Sequence, residues 1–208
     1  MSGENDYFLK ATVHYNSTPG DTQTPGGNTP QAIEKINLTK LILDKAQMVY
    51  SGKDVHPSVT VLDEKGNEVA TSNYTVVYAD NKNVGQATVT VIGKDKYKGT
   101  ITETFMIIPK GTSISKITSK KKAMVIKWKK QNNQTTGYQI QYSTNSKFNS
   151  VSNITINKNK IVSKTVKKLK ANKKYYERIR TYKTVKIDGK KTKVYSSWSK
   201  VKTVKTKK

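Results

Sequence analysis

Arg178 and Arg180 are the only arginines in a chain of 208 residues that carries 37 lysines. They lie in the stretch YYERIRTYK, where Tyr176, Arg178, Arg180 and Tyr182 share one parity. Further on the chain reads Tyr195-Ser196-Ser197-Trp198-Ser199. A planar guanidinium stacks on an aromatic ring where an ammonium does not, and each exposed contact is worth ~0.5–1 kcal/mol. This pattern has two uses. Aromatics interleaved with cations can stack and hold single-stranded nucleic acid. Alternatively, the same residues form a structural ladder on the outer face of a strand, with Tyr176, Arg178, Arg180, Tyr182, Tyr195 and Trp198 as its rungs. The ladder is the preferred reading, because arginine is confined to the one stretch where stacking would need it.

Other chemistry finds little to work with. His14 and His56 are far apart, and without cysteine they make neither a metal-ligand set nor a nucleophile pair. DEKGNE (63–68) lacks the spacing of a calcium loop and reads as a hairpin turn. No phosphate-cradling glycine loop occurs. No catalytic residue, metal or cofactor is therefore expected. No run of 18 apolar residues is present, so no membrane span is expected. Met1 is followed by no apolar segment of the kind a signal peptide needs. We read the chain as a piece of a longer exported protein, extracellular or wall-associated, whose partners include that protein's other domains.

The net charge of +25 is unevenly held. Residues 1–112 carry 11 lysines against 12 acids, a net charge of −1. Residues 113–208 carry 28 bases against only Glu177 and Asp188, a net charge of +26. That break marks a domain boundary, and two carboxylates are too few for a glycosidase pair. The basic half offers Lys164, Lys167, Lys168, Lys170, Lys173, Lys174, Arg178 and Arg180 as a surface for an anionic wall or extracellular polysaccharide. Specific base reading leans on arginine, which argues against sequence-specific nucleic-acid binding. Three lysine runs stand out, at 119–122, 167–174 and 205–208. Nothing in the sequence requires the first and third to share one end of a fold.

These residues must be positioned by strands. Val, Ile, Thr and Tyr dominate the patterned segments, and alternating runs recur with Gly/Asn turns between them. DYFLKATVHYN alternates as a lone strand over 1–16, expected as the remnant of a preceding domain. The Pro/Gly/Thr stretch over 17–32 reads as a tether. SVTVLDEKGNEVA reads as strand, turn, strand. Tyr74, Val76 and Tyr78 alternate, as do Ala87, Val89 and Val91, then Ile101, Glu103, Phe105 and Ile107. AMVIKW and GYQIQYS place Trp128, Tyr138, Ile140 and Tyr142 in a second core, and Asp188-Gly189 turns a hairpin. The expectation is an all-β chain of two tandem β-sandwiches, over 33–109 and 114–208, joined by a short linker at 110–113.

The segments YSGK, NYTVVYADNKNVGQATVTV and GKDKYKGT…TF resemble the bacterial immunoglobulin-like repeat of Gram-positive surface proteins, over about 33–109. That resemblance implies a spacer or stalk. Residues 113–206 resemble a fibronectin type III domain. Trp128 falls where that family has its core tryptophan. Leu169 precedes Tyr175 by six residues, the spacing of the family's tyrosine corner, whose hydroxyl bonds back to nearby backbone. Tyr195 to Ser199 is similar to the WS box of cytokine-receptor fibronectin domains, which implies a cation–π ladder with the arginines of the neighbouring strand. Glu177 departs from the family pattern, standing on the parity of Tyr175 and Ile179 where an apolar residue belongs. The expected function is a non-catalytic spacer and interaction module. The alternatives are the accessory tail of a secreted wall or polysaccharide hydrolase, and a purely structural stalk.

Overall fold

The computed structural model describes residues 34–208. The strand expected over 1–16, which includes His14, and the tether expected over 17–32 lie outside the described residues. The rest is all-β.

The first sandwich comprises β1 (Ile36–Leu43), β2 (Gln47–Val49), β3 (Val59–Asp63), β4 (Tyr74–Ala79), β5 (Gly85–Gly93), β6 (Tyr97–Lys98) and β7 (Thr100–Ile108). One sheet runs β3-β1-β6 and the other β2-β7-β5-β4. The short strands β6 and β2 pair in parallel with β1 and β7, and the remaining pairs are antiparallel. Period-2 alternation decides which side chains go inward. Ala87, Val89 and Val91 of β5 are fully buried, and Leu38, Leu41, Val61 and Tyr74 pack with the two valines. Each fully buried Val or Leu contributes about 1.5–3 kcal/mol.

DEKGNE folds as a turn closed by Asp63, whose Oδ1 accepts the backbone N–H groups of Lys65 and Asn67, both at 2.9 Å. The strand expected after it is reduced to a single bridge, Leu62 to Glu68. Val69 tucks into the core, and the chain then enters a short 3-10 turn at Thr71–Asn73.

The second sandwich comprises β8 (Ile114–Lys120), β9 (Ala123–Trp128), β10 (Gly137–Ser143), β11 (Ser152–Ile156), β12 (Ser163–Val166), β13 (Lys174–Ile187), β14 (Lys190–Tyr195) and β15 (Lys202–Lys205). Sheet β12-β9-β8 faces sheet β11-β10-β13-β14, and β15 also pairs with β13. Trp128 meets Tyr138 edge-on at 5.4 Å, and both sit in one buried cluster with Ile140, Leu169, Tyr175 and Ile179. The Tyr138 hydroxyl accepts from Gln131 N–H at 2.9 Å and donates to the Asn159 carbonyl at 3.0 Å. The Tyr175 hydroxyl accepts from Lys170 N–H at 3.0 Å, fixing the loop that precedes β13.

β13 is the longest strand, and its free edge is divided. β15 pairs with Lys174 to Glu177, and β14 pairs with Tyr182 to Ile187. The β13–β14 hairpin turns at Asp188 (φ 50°) and Gly189 (φ 75°), the two left-handed residues that a two-residue hairpin requires. Its apolar residues reach the first sandwich. Val194 is buried in a cluster with Val55, Val84, Ala87, Phe105, Ile107 and Ile108, and Val185 and Ile187 pack against it. Thr181 Oγ1 donates to the Lys110 carbonyl in the connecting segment at 2.8 Å.

Candidate functional site

The segment from Tyr195 to Ser199 has a three-residue repeat of chemistry: aromatics at 195 and 198, serines at 196 and 199. It runs beside β13 where no strand pairs with that edge, and the serine hydroxyls take over part of the ladder. Ser196 Oγ accepts from Thr181 N–H and Ser199 Oγ from Ile179 N–H, both at 3.1 Å. The backbone returns the bonds, Ser196 N–H to the Thr181 carbonyl at 3.1 Å and Ser199 N–H to the Ile179 carbonyl at 2.8 Å. With the serines bound to the strand edge, Tyr195 and Trp198 lie over its outer face.

There they alternate with the arginines. The Arg178 guanidinium lies 4.2 Å from the ring centroid of Phe148 and 4.6 Å from that of Trp198. Arg180 lies 4.3 Å from Trp198 and 3.8 Å from Tyr195. Tyr195 then meets Tyr182 at 5.7 Å. The stack therefore reads Phe148, Arg178, Trp198, Arg180, Tyr195, Tyr182. β10 fixes the guanidinium edges. Gln141 stands in register with Arg178 and Gln139 with Arg180. Each arginine donates Nε–H to its glutamine Oε1, at 2.8 Å and 2.7 Å respectively. Burial pulls the Arg180 pKa down from its ordinary value, and the Tyr195 hydroxyl opposes that while Arg178 adds to it.

One expected rung needs correction, and the surroundings of a second differ from those expected. Tyr176 is not in the stack; it lies under Lys174 Nζ at 5.2 Å. Tyr182 is on the outer parity but is not exposed, because the sheet is covered at that point. It stands in register with Gly137, whose missing side chain leaves room for the ring. Its hydroxyl donates to Asn157 Oδ1 at 2.7 Å. Phe148 is the rung that sequence reasoning missed. It lies in the β10–β11 loop at φ 56°, outside any alternating pattern that would have marked it.

With aromatic rings over Arg178 and Arg180 and their Nε–H groups committed, neither arginine is free to stack on a base. That geometry is the one a structural ladder needs, and both guanidiniums remain half-buried, so their charge still adds to the basic surface.

Glu177 is fully buried, between Tyr142 on β10 and Lys202 on β15 in register. Neither carboxylate oxygen has a hydrogen-bond partner among the described residues, and Lys202 Nζ donates to the Ser115 carbonyl. Burial alone pushes the Glu177 carboxyl up to about 8.

The remaining candidates, Lys164, Lys167, Lys168, Lys170, Lys173 and Lys174, are all exposed. Lys164 stands on β12, opposite Ile126 of β9. The others belong to a larger group, because the structure draws the three lysine runs to one end of the second sandwich. Leu169 N–H donates to the Lys122 carbonyl at 2.9 Å, and Lys207 N–H to the Lys120 carbonyl at 3.0 Å. Lys121 and Lys207 form a parallel bridge. The buried Thr206 ties the second run to the third: its Oγ1 donates to the Lys170 carbonyl at 2.6 Å and accepts from Lys173 N–H at 3.0 Å. We call this end the lysine pole.

Among the described residues, the one ion pair is Lys45 to Asp44, in the first sandwich. No group of three or more His, Cys, Asp or Glu side chains is placed to hold a metal ion among them. A crevice of about 740 Å³ between the sandwiches is lined by Asp80, Asn83, Gln86, Lys186 and Asp188, a polar set of mixed charge.

Residues 108–198 match the fibronectin type III domain family. No curated protein matches the chain. Among solved structures it is similar to a two fibronectin type III domain segment from chicken tenascin, at 14% identity, covering 81% of this chain and 99% of that one, with a TM-score of 0.47. It is also similar to the FN1–FN3 domains of chicken CNTN1, at 13% identity, covering 85% and 69%, with a TM-score of 0.38. A third similarity is to a beta-1,2-glucanase from Parabacteroides distasonis, at 13% identity, covering 59% of this chain, with a TM-score of 0.37. The match spans only 18% of the glucanase.

Proposed function

We propose that this chain, with its fibronectin type III domain, is a non-catalytic part of an exported bacterial surface protein. In this reading the first sandwich is an immunoglobulin-like spacer, and the second holds the protein against an anionic polymer of the wall or cell surface. The observation that carries the reading is uncompensated charge. The second half holds a net +26, and the one ion pair among the described residues lies in the other half. Such a surface gathers polyanions by releasing their counterions, and so binds them in a salt-dependent way. The ladder covers the faces of both guanidiniums, so the exposed lysines carry the proposed contact.

The test is cosedimentation of the full chain with purified Gram-positive cell walls, before and after removal of teichoic acids. Binding that is lost on stripping or at high salt supports retention. Absence of binding to intact walls even at low salt overturns it.

A second reading, a stiff stalk, is favoured by the apolar joint at Val194. Under that reading, reversing the charge of surface lysines changes no binding.

A further inference from the structure

We infer that the lysine pole is a discrete binding site for a flexible polyphosphate or polyphosphodiester chain, held by charge without stacking. The inference rests on the retention reading above and gives that reading a place and a ligand chemistry.

Four observations support it. First, the pole is built, not scattered: backbone and Thr206 hydrogen bonds bring together three runs holding eleven lysines and no acid. Second, nothing among the described residues neutralises it. The only acids of this half are Glu177, which is buried, and Asp188, at the opposite end of β13. At about 3.3 Å per residue, that strand puts roughly 40 Å between Asp188 and the pole, several screening lengths at physiological salt.

Third, the pole retains lysine where the backbone favours glycine. Lys122 (φ 45°) and Lys168 (φ 60°) are both left-handed, in loops joined by the Leu169 to Lys122 bond. A non-glycine residue there is strained, and such strain concentrates at functional positions. Fourth, the side-chain chemistry sets the mode of binding. Lysine meets phosphate as a point charge that needs no fixed geometry, which suits a flexible chain, whereas planar, bidentate recognition of carboxylate or phosphate is arginine's role, and both arginines are in the ladder. No aromatic residue occurs within the three lysine runs to stack on a base or sugar ring.

The experiment compares two triple variants of the full chain that lose the same charge. One is Lys121→Gln, Lys170→Gln and Lys207→Gln at the pole. The other is Lys186→Gln, Lys190→Gln and Lys191→Gln on the β13–β14 hairpin. The probe is long-chain inorganic polyphosphate, titrated at several salt concentrations, with unchanged melting temperatures as the folding control. Three lost phosphate contacts lower affinity on the order of 100-fold at 0.1 M salt and reduce the salt slope by about 2. The expected result is that loss for the pole variant and a change below about threefold for the hairpin variant.

Equal losses from both variants would overturn the discrete site while leaving the retention reading intact. A chain that binds walls but not polyphosphate would overturn the ligand chemistry. If one triple variant is unfolded, Lys122→Gly and Lys168→Gly decide the matter. Glycine relieves the strained φ, so the expected outcome is a more heat-stable protein that binds polyphosphate more weakly. Undiminished binding by both would overturn the inference.

Discussion

Replacing Glu177 with methionine should stabilise the protein, and the gain should depend on pH. Glu177 keeps its proton in the folded state up to about pH 8, whereas its ordinary value is 4.5. Between those values the unfolded chain has released the proton and the folded chain has not, so unfolding releases a proton and stability falls as pH rises. At about 1.4 kcal/mol per pKa unit, the loss relative to acidic pH is about 3 kcal/mol at pH 7. It reaches about 5 kcal/mol above pH 8, where both states are ionised and the loss stops growing. Methionine is unbranched and of similar length, and it adapts to irregular core space. Glu177→Met should therefore raise the melting temperature at pH 7 by about 10 °C, using roughly 2–4 °C per kcal/mol for a unit of this size.

The assay is urea denaturation followed by tryptophan fluorescence at pH 5, 6, 7 and 8. Trp128 and Trp198 are the only tryptophans, and both belong to the second sandwich. The wild-type midpoint should fall across the series relative to the variant's. The variant shares every other titrating group, so it cancels their contribution. A difference between the two midpoints that is constant from pH 5 to pH 8 would refute the reasoning.

Other consequences can be checked in the same way. Arg178→Lys with Arg180→Lys keeps the charge but loses two Nε–H bonds to glutamine and the planar stacking, and should cost about 2–4 kcal/mol by denaturant titration. Trp198→Ala removes the ring that both guanidiniums share and should lower the melting temperature; no change would contradict the ladder's structural role. At Gly137 an added Cβ would collide with the Ile156 carbonyl, so Gly137→Ala should abolish the β10–β11 pairing and yield little soluble protein. Val194→Asp places a charge in the apolar joint, and calorimetry should then show two transitions where the parent shows one.

Much of the fold was legible because period-2 alternation is a strong signal when one sheet face is buried. Ala87, Val89 and Val91 announced β5 in that way, and Asp188-Gly189 announced its hairpin through the left-handed geometry those residues tolerate. The parallel strands β2 and β6 were not legible. Three-residue and two-residue strands carry no period, and their pairing is set by long-range contacts.

At the site, the arginine usage and the tyrosine and tryptophan of YSSWS pointed to four members of the stack, and strand parity pointed to a fifth, Tyr182. Phe148 escaped because a loop residue acquires its position from tertiary packing alone. Tyr182 was placed outside because parity describes direction, not cover, and Gly137 with Asn157 supplies the cover. The convergence of the lysine runs was beyond sequence reasoning for a related reason. It depends on Lys121 meeting Lys207, residues 86 positions apart, and on a threonine clasp that looks like any other threonine in the sequence.

The central claim, retention on an anionic polymer through an uncompensated lysine surface, is tested most directly by one titration. Purified teichoic acid is titrated into the full chain from about 50 mM to about 300 mM salt, and log Kobs is plotted against log salt concentration. The account predicts a straight line of negative slope, with magnitude about 3 or more for at least four or five phosphate contacts. A flat line, or no binding at the lowest salt, would contradict it and leave the second sandwich a structural spacer.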